Sequence, residues 1–200
     1  MAEIVERTAL SDHPKSRLRT AGTGGLPGAV LEEQRPAAIA QINGAPQEPR
    51  LASALGFLAL DSMIESRRAC TGKGGTLLWN GPGQWLAVSP STPARGFIMD
   101  LRGALEPSGA TVTDLSHARS VIRIAGPKAR DVMLKGCPLD LQSFRVNDCA
   151  SSLLGHLNVQ IHCIGDQTFD LYVCRSFGLA MWEWLVDAAL EYGVEMLSSE

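Results

Sequence analysis

Asp114-Leu115-Ser116-His117 sets a carboxylate, a hydroxyl and an imidazole within four residues, the side chains of a nucleophilic triad. The spacing argues against that chemistry. Alternate side chains of a strand point to opposite faces, so Asp114 and Ser116 share one face and His117 takes the other. No GxSxG elbow occurs anywhere in the chain. The stretch is therefore read as structural, with Asp114 or Ser116 bonding backbone at a strand end. His162-Cys163 splits across two faces in the same way, and a zinc site there would need Cys149 or Cys174, neither of which stands at ligand spacing. His13 and His156 lie in no convincing site. Five cysteines (Cys70, Cys137, Cys149, Cys163 and Cys174) are an odd number without CxxC spacing, which fits reduced, buried thiols better than a disulfide framework. Gly22-Thr23-Gly24-Gly25 lacks the GK[ST] ending of a phosphate loop, and no GxGxxG follows a strand. Read from the residues, the sites are none: no catalytic, cofactor-binding or metal-binding residue is assigned.

Composition narrows the partners. With 200 residues, 45% apolar and 20% charged, the chain has the makeup of a globular protein of one domain plus an extension. A net charge of -3 and scattered basic residues, apart from Arg67-Arg68, give a nucleic-acid backbone little to bind. No run of about 18 uncharged apolar residues is present to span a bilayer. Glu3 and Glu6, without an apolar stretch after them, make a secretory leader a poor fit, so a cytoplasmic location is expected.

The elements are organised around residues 114–141. Val121-Ile122-Arg123-Ile124 predicts a strand, and Ala125-Gly126-Pro127 turns it into a helix with Pro127 at its first position. Ala129, Val132 and Met133 make that helix's apolar face, while Lys128, Arg130, Asp131 and Lys135 are expected to face solvent. Gly136 is expected to supply a left-handed C-cap. Before this unit, Leu51, Ala54, Leu55 and Leu58 predict a helix over 50–60. Residues 76–79 and 85–89 predict a hairpin about a tight Asn80-Gly81 turn, bracketed by Trp79 and Trp85 in a structural role. A helix over 93–106 and a strand over 110–115 follow. After the unit, 153–164 predicts one strand, Gly165-Asp166-Gln167 a turn and 169–174 its partner. Residues 1–49, rich in proline and glycine, read as an extended N-terminal arm. Within it, Val30-Leu31 and 37–42 are possible short strands lying along the domain or a partner.

Ser176 is expected to cap a last helix over 177–192, which Gly193 ends. Met181, Trp184, Leu185, Ala188 and Ala189 form its apolar face. Glu183, Asp187 and Glu191 recur every fourth residue, a repulsive row expected to be a solvated face, though a basic surface on another subunit would relieve it. Trp182 falls outside the apolar face and is expected to be an exposed interface aromatic. Together these elements predict an α+β fold with ferredoxin-like β-α-β repeats and antiparallel sheet, divided into an arm (1–49) and a domain (50–200).

The segment 114–134, with its Asp-Leu-Ser-His start, β-branched strand, Gly126 and helix, resembles the folate-binding aminomethyltransferase family. Three further stretches, at 78–86, 169–177 and 182–185, resemble the gamma-subunit family of heterotetrameric sarcosine oxidase over about residues 50–195. This resemblance implies part of the aminomethyltransferase fold. It also implies a small, non-catalytic structural subunit of a complex that oxidatively demethylates sarcosine to glycine, with hydrogen peroxide and formaldehyde or 5,10-methylenetetrahydrofolate as products. It implies alpha, beta and delta partner subunits, chiefly the large folate-binding one, with FAD, FMN, NAD, zinc and tetrahydrofolate on those subunits and none on this chain. The alternatives are the small subunit of a related N-methylglutamate dehydrogenase and a stand-alone folate-binding aminomethyltransferase-like protein.

Overall fold

In the computed structural model, which describes residues 7–11, 26–44, 65–105 and 108–197, two sheets pack face to face with helices on their outer faces. The strands are β1 (Ala29–Gln34), β2 (Ala38–Asn43), β3 (Ala69–Gly72), β4 (Gly75–Gly81), β5 (Gln84–Ser89), β6 (Thr111–Asp114), β7 (Arg119–Ala125), β8 (Cys149–Leu154), β9 (Leu157–Gly165), β10 (Thr168–Cys174) and β11 (Val194–Leu197). Helix α1 (Ala94–Leu105) precedes β6, α2 (Ala129–Leu134) follows β7, and α3 (Gly178–Ala189) precedes β11. The six-stranded sheet runs β11-β1-β7-β10-β9-β8 and the five-stranded sheet β3-β4-β5-β2-β6. All pairs are antiparallel except β1 with β11. Units β5-α1-β6 and β10-α3-β11 each return to their own sheet with other strands between the ends, which is the split β-α-β arrangement of the expected α+β fold.

Alternation in the strands builds three apolar layers. Leu31, Ile122, Ile124, Ile161, Phe169 and Leu171 point from the six-stranded sheet toward α2 and α3. Phe97, Ile98, Leu101 and Leu105 make one stripe of α1 and bury against Ile42, Leu77 and Trp85, at about 1.5–3 kcal/mol for each large side chain. Between the sheets lie Ile39, Leu78, Leu86, Val88, Val121, Cys149 and Tyr172. Gln160 adds a polar tie, its Nε2 donating to the Trp79 carbonyl at 2.9 Å.

Several expectations are corrected here. The described part of the presumed arm does not lie along the domain: β1 sits between β11 and β7, and β2 between β5 and β6. Two six-residue strands are too short to signal burial alone, and only their neighbours on both sides stabilise them. The division at residue 49 and the helix over 50–60 fall outside the described residues. The hairpin turn is Pro82-Gly83, with Gly83 at φ 68, and Asn80-Gly81 stays in β4. Residues 153–164 are not one strand, because Gly155 (φ 54) and His156 (φ 72) turn the chain from β8 into β9.

Helix ends also differ. Lys128 occupies the N-cap of α2, one residue past Pro127. Ser176 lies in the 3-10 turn Arg175–Phe177, and no side chain caps α3. Gly193, at φ 80, does end the last helical turn. Gly136 has no positive φ, and its missing Cβ serves packing instead: Trp184 lies over Gly136 and over Gly155, where a Cβ would stand 2.6 Å from Nε1. Trp182 is buried in the core beneath α3, not exposed, because the helix is covered across a wider arc than its five-residue stripe suggests. The acidic row is exposed as expected, and Glu191 meets Lys135 at 2.5 Å within the chain.

Candidate functional site

Asp114 and Ser116 form a clamp at a strand end. The Ser116 N–H donates to Asp114 Oδ1 at 2.9 Å, Ser116 Oγ lies 2.7 Å from the same oxygen, and the Ile39 N–H donates to Ser116 Oγ at 3.1 Å. Partial burial would raise the Asp114 carboxyl, but the two Ser116 hydrogen bonds and nearby His117 and Arg102 outweigh it and hold the pKa below its usual value. The hydroxyl is thus committed to fastening β2 to the residues after β6. The expected structural role is what the geometry displays.

A polar constellation that the sequence reading did not single out crosses the inner face of the six-stranded sheet. Arg123, Asp170 and His162 stand directly opposite one another on β7, β10 and β9. Arg123 donates from Nε and one terminal nitrogen to the two Asp170 oxygens at 2.7 and 2.9 Å, a bidentate pair. Tyr172, two residues along β10, shares the face. With Val121, Asn147 and Thr71 these residues line an open cleft of about 610 Å³ between the sheets. Cys163 points the other way, into the helix-side core, so the expected separation of His162 and Cys163 holds.

Burial sets the chemistry of this cleft. His162 is 4% exposed, and its Nε2 has no hydrogen-bond partner among the described residues. Desolvation pushes its pKa down to about 4 against an opposing pull from Asp170, so the imidazole is neutral at physiological pH. Burial, with Asp170 adding to it, drives the Tyr172 phenol well above its usual value. Acid-base catalysis works best with a group poised near the operating pH, and neither of these is so poised. The arrangement offers a neutral, fixed hydrogen-bonding wall. A charge inside an otherwise apolar strand, Arg123 on β7 and Asp170 on β10, was the available sign of a cross-strand pair.

Arg130 is corrected too. It is buried, not solvent-facing, and donates to the carbonyls of Leu141, Phe144 (2.9 Å) and Asp166 (2.7 Å) while lying over the Phe169 ring. It therefore ties α2 to the 3-10 turn Leu141–Ser143 and to the β9–β10 turn. Burial lifts the Cys149 thiol to about 12 and raises Cys163, so neither is an available thiolate near neutrality.

The strand-to-helix turn after β7 does not fit a nucleotide phosphate. Gly126, at φ 117, is there because the Gly28 carbonyl approaches to 2.7 Å of where a Cβ would stand, and the same carbonyl accepts the Lys128 N–H at 2.9 Å. Among the described residues, no three His, Cys, Asp or Glu side chains are grouped to hold a metal ion. None of the described helices is long and apolar enough to cross a membrane.

Comparisons with known proteins agree along nearly the whole chain. A family model described as the sarcosine oxidase, gamma subunit family matches residues 44–191. A sarcosine oxidase subunit gamma from an Arthrobacter species is 31% identical over 196 residues, covering 94% of this chain and 95% of the relative. Another, from Corynebacterium sp. strain U-96, is 35% identical over 121 residues, 60% of this chain and 58% of that protein. Among solved structures, a chain of heterotetrameric sarcosine oxidase from Corynebacterium sp. U-96, in complex with pyrrole 2-carboxylate, superposes with a TM-score of 0.82 at 25% identity, covering 94% of this chain and 96% of that one. The glycine cleavage system aminomethyltransferase T of Bartonella henselae shares the fold, with a TM-score of 0.68 at 14% identity over 94% of this chain and 58% of the other.

Proposed function

We propose, for a chain that belongs to the sarcosine oxidase gamma subunit family, that it serves as the small structural subunit of a heterotetrameric sarcosine oxidase. The observation that carries this reading is the match, over 94% of this chain, in sequence to a sarcosine oxidase subunit gamma and in fold to a chain of heterotetrameric sarcosine oxidase. The chemistry of the chain's own groups supports it. Asp114 and Ser116 are engaged in a backbone clamp, Arg123 and Asp170 neutralise one another, and Cys149 and Cys163 stay protonated.

In this reading the complex oxidises the N-methyl group of sarcosine, releasing glycine and hydrogen peroxide with formaldehyde or 5,10-methylenetetrahydrofolate. FAD, FMN, NAD, zinc and tetrahydrofolate reside on the alpha, beta and delta partners, chiefly with a large folate-binding subunit beside this chain. The assembly works in the cytoplasm, without membrane or nucleic-acid contacts. A tagged copy purified gently from its native cells tests this. The expected result is three further chains, a flavin spectrum and sarcosine-dependent peroxide release from the complex but not from this chain alone. Recovery of the chain as a single colourless species, with no peroxide release, contradicts it.

A further inference from the structure

Two sets among the arginines of this chain differ in how their charge is matched. Arg123, Arg130 and Arg68 are matched inside the fold, by Asp170, by three carbonyls, and by Asp148 at 2.5 Å. A second set, Arg35, Arg119 and Arg175, lines one recess of about 240 Å³ beside the β1–β2 connection, where Glu33 is the one carboxylate among the described lining residues; Arg7 and His117 line it too and have partners of their own. Arg35, Arg119 and Arg175 against Glu33 leave a local excess of positive charge among the described residues, on a chain whose net charge is -3.

The partners inside the recess do not use up these donors. Glu33 already accepts from Thr8 Oγ1 at 3.0 Å and from Arg35 at 3.3 Å. Arg119 donates to the Cys174 sulfur at 2.7 Å, and Arg175 to the backbone carbonyl of Arg7. Neither Arg119 nor Arg175 has a carboxylate partner among the described residues. A guanidinium carries five N–H donors in a fork suited to two carboxylate oxygens, so one sulfur or one carbonyl leaves most of each fork unspent.

We propose that this arginine-lined recess is the seat of an acidic segment of a partner subunit, whose aspartate or glutamate side chains complete the Arg119 and Arg175 forks. Two observations choose a carboxylate-bearing chain over a free cofactor. The recess is smaller than the roughly 300–1,000 Å³ of small-molecule sites. The chain next to Arg175 also exposes apolar side chains: Phe177, 49% exposed, ends the 3-10 turn that carries Arg175, and Leu179, 41% exposed, follows in α3, on either side of Gly178, which lies against Ala9 and Ser120 of the recess lining. An apolar shoulder beside a cationic recess suits an acidic segment with a hydrophobic residue next to its carboxylates. The proposal rests on the reading of the chain as an assembly subunit.

The test compares the full-length chain with Arg35→Glu/Arg175→Glu in co-expression with its partner subunits, following retention in the purified complex at low and high salt. Arg35 lies outside the core, and the retained urea midpoint of the variant checks its fold. A second variant, Arg119→Lys, keeps the charge but removes the fork. The expected results are an at least tenfold weaker association of the double variant, a flatter salt dependence than the wild type, and an intermediate loss for Arg119→Lys. A wild-type chain that fails to assemble defeats the subunit reading, and this proposal with it. Wild-type and variant chains that assemble equally overturn the recess assignment alone, as does tight binding of inorganic phosphate there without any effect on assembly.

Discussion

His162 makes a quantitative test of how the inter-sheet cleft is built. Its imidazole titrates near 6.5 when exposed and about 4 in the fold, because protonation would place a cation in a desolvated position. A folded pKa below the unfolded one means that the unfolded chain takes up the proton first. The contribution is fully present above the unfolded value and is lost as the pH falls from about 6.5 toward 4. From pH 7.5 to 5.5 this single group is expected to remove about 1.4 kcal/mol of stability, rising to about 3 kcal/mol at full protonation. The assay is urea unfolding at steps between pH 5 and 8, on the wild type and on His162→Gln, which cannot titrate. Carboxylates elsewhere titrate equally in both proteins, so the difference between the two curves isolates His162. The wild type should lose about 1.4 kcal/mol more than the variant between those pH values. Parallel curves, or a wild type that gains relative stability on acidification, would show that His162 is not held neutral by burial.

Other perturbations follow from the same contacts. Arg130→Met should cost about 3–5 kcal/mol in urea unfolding, because it strands the Leu141, Phe144 and Asp166 carbonyls, and Arg130→Lys should recover only part of this. Trp182→Ala should destabilise the fold by about 3–5 kcal/mol through a core cavity, whereas an interface role would leave the unfolding midpoint unchanged. Gly155→Ala should lower the thermal midpoint, since a Cβ there meets the Trp184 indole at 2.6–2.7 Å and sits at a φ of 54. Ser116→Ala should cost about 1 kcal/mol and raise amide exchange at Ile39, whose N–H loses its acceptor.

Periodicity made much of the fold legible. The β7–α2 unit, the stripe of α1, the paired Trp79 and Trp85, and the ending at Gly193 all follow from local pattern. What escaped depends on neighbours remote in sequence. β1 and β2 look like fragments of an arm because the strands that flank them come from residues 84–125 and 194–197. Arg130 reads as a surface residue of a short helix until the 3-10 turn and the β9–β10 turn fold over it. The Gly155-His156 turn is weak as a sequence signal, so two strands read as one. For the cleft, Arg123 and Asp170 were visible as charges in apolar runs, but only the order β7-β10-β9 shows that they and His162 form one row. The Ser116 clamp, by contrast, was legible from residue type, although Ser116 itself lies in the turn after β6, where strand alternation does not apply.

This chain is read as one structural member of a four-chain sarcosine-oxidising complex. Native mass measurement of the gently purified complex tests it most directly. The expected result is a flavin-bearing species containing one copy of this 21.4 kDa chain with three different larger or smaller partners, consuming sarcosine with peroxide release. A self-contained 21.4 kDa species, or an assembly of this chain only with itself, would rule out a role as one subunit of four.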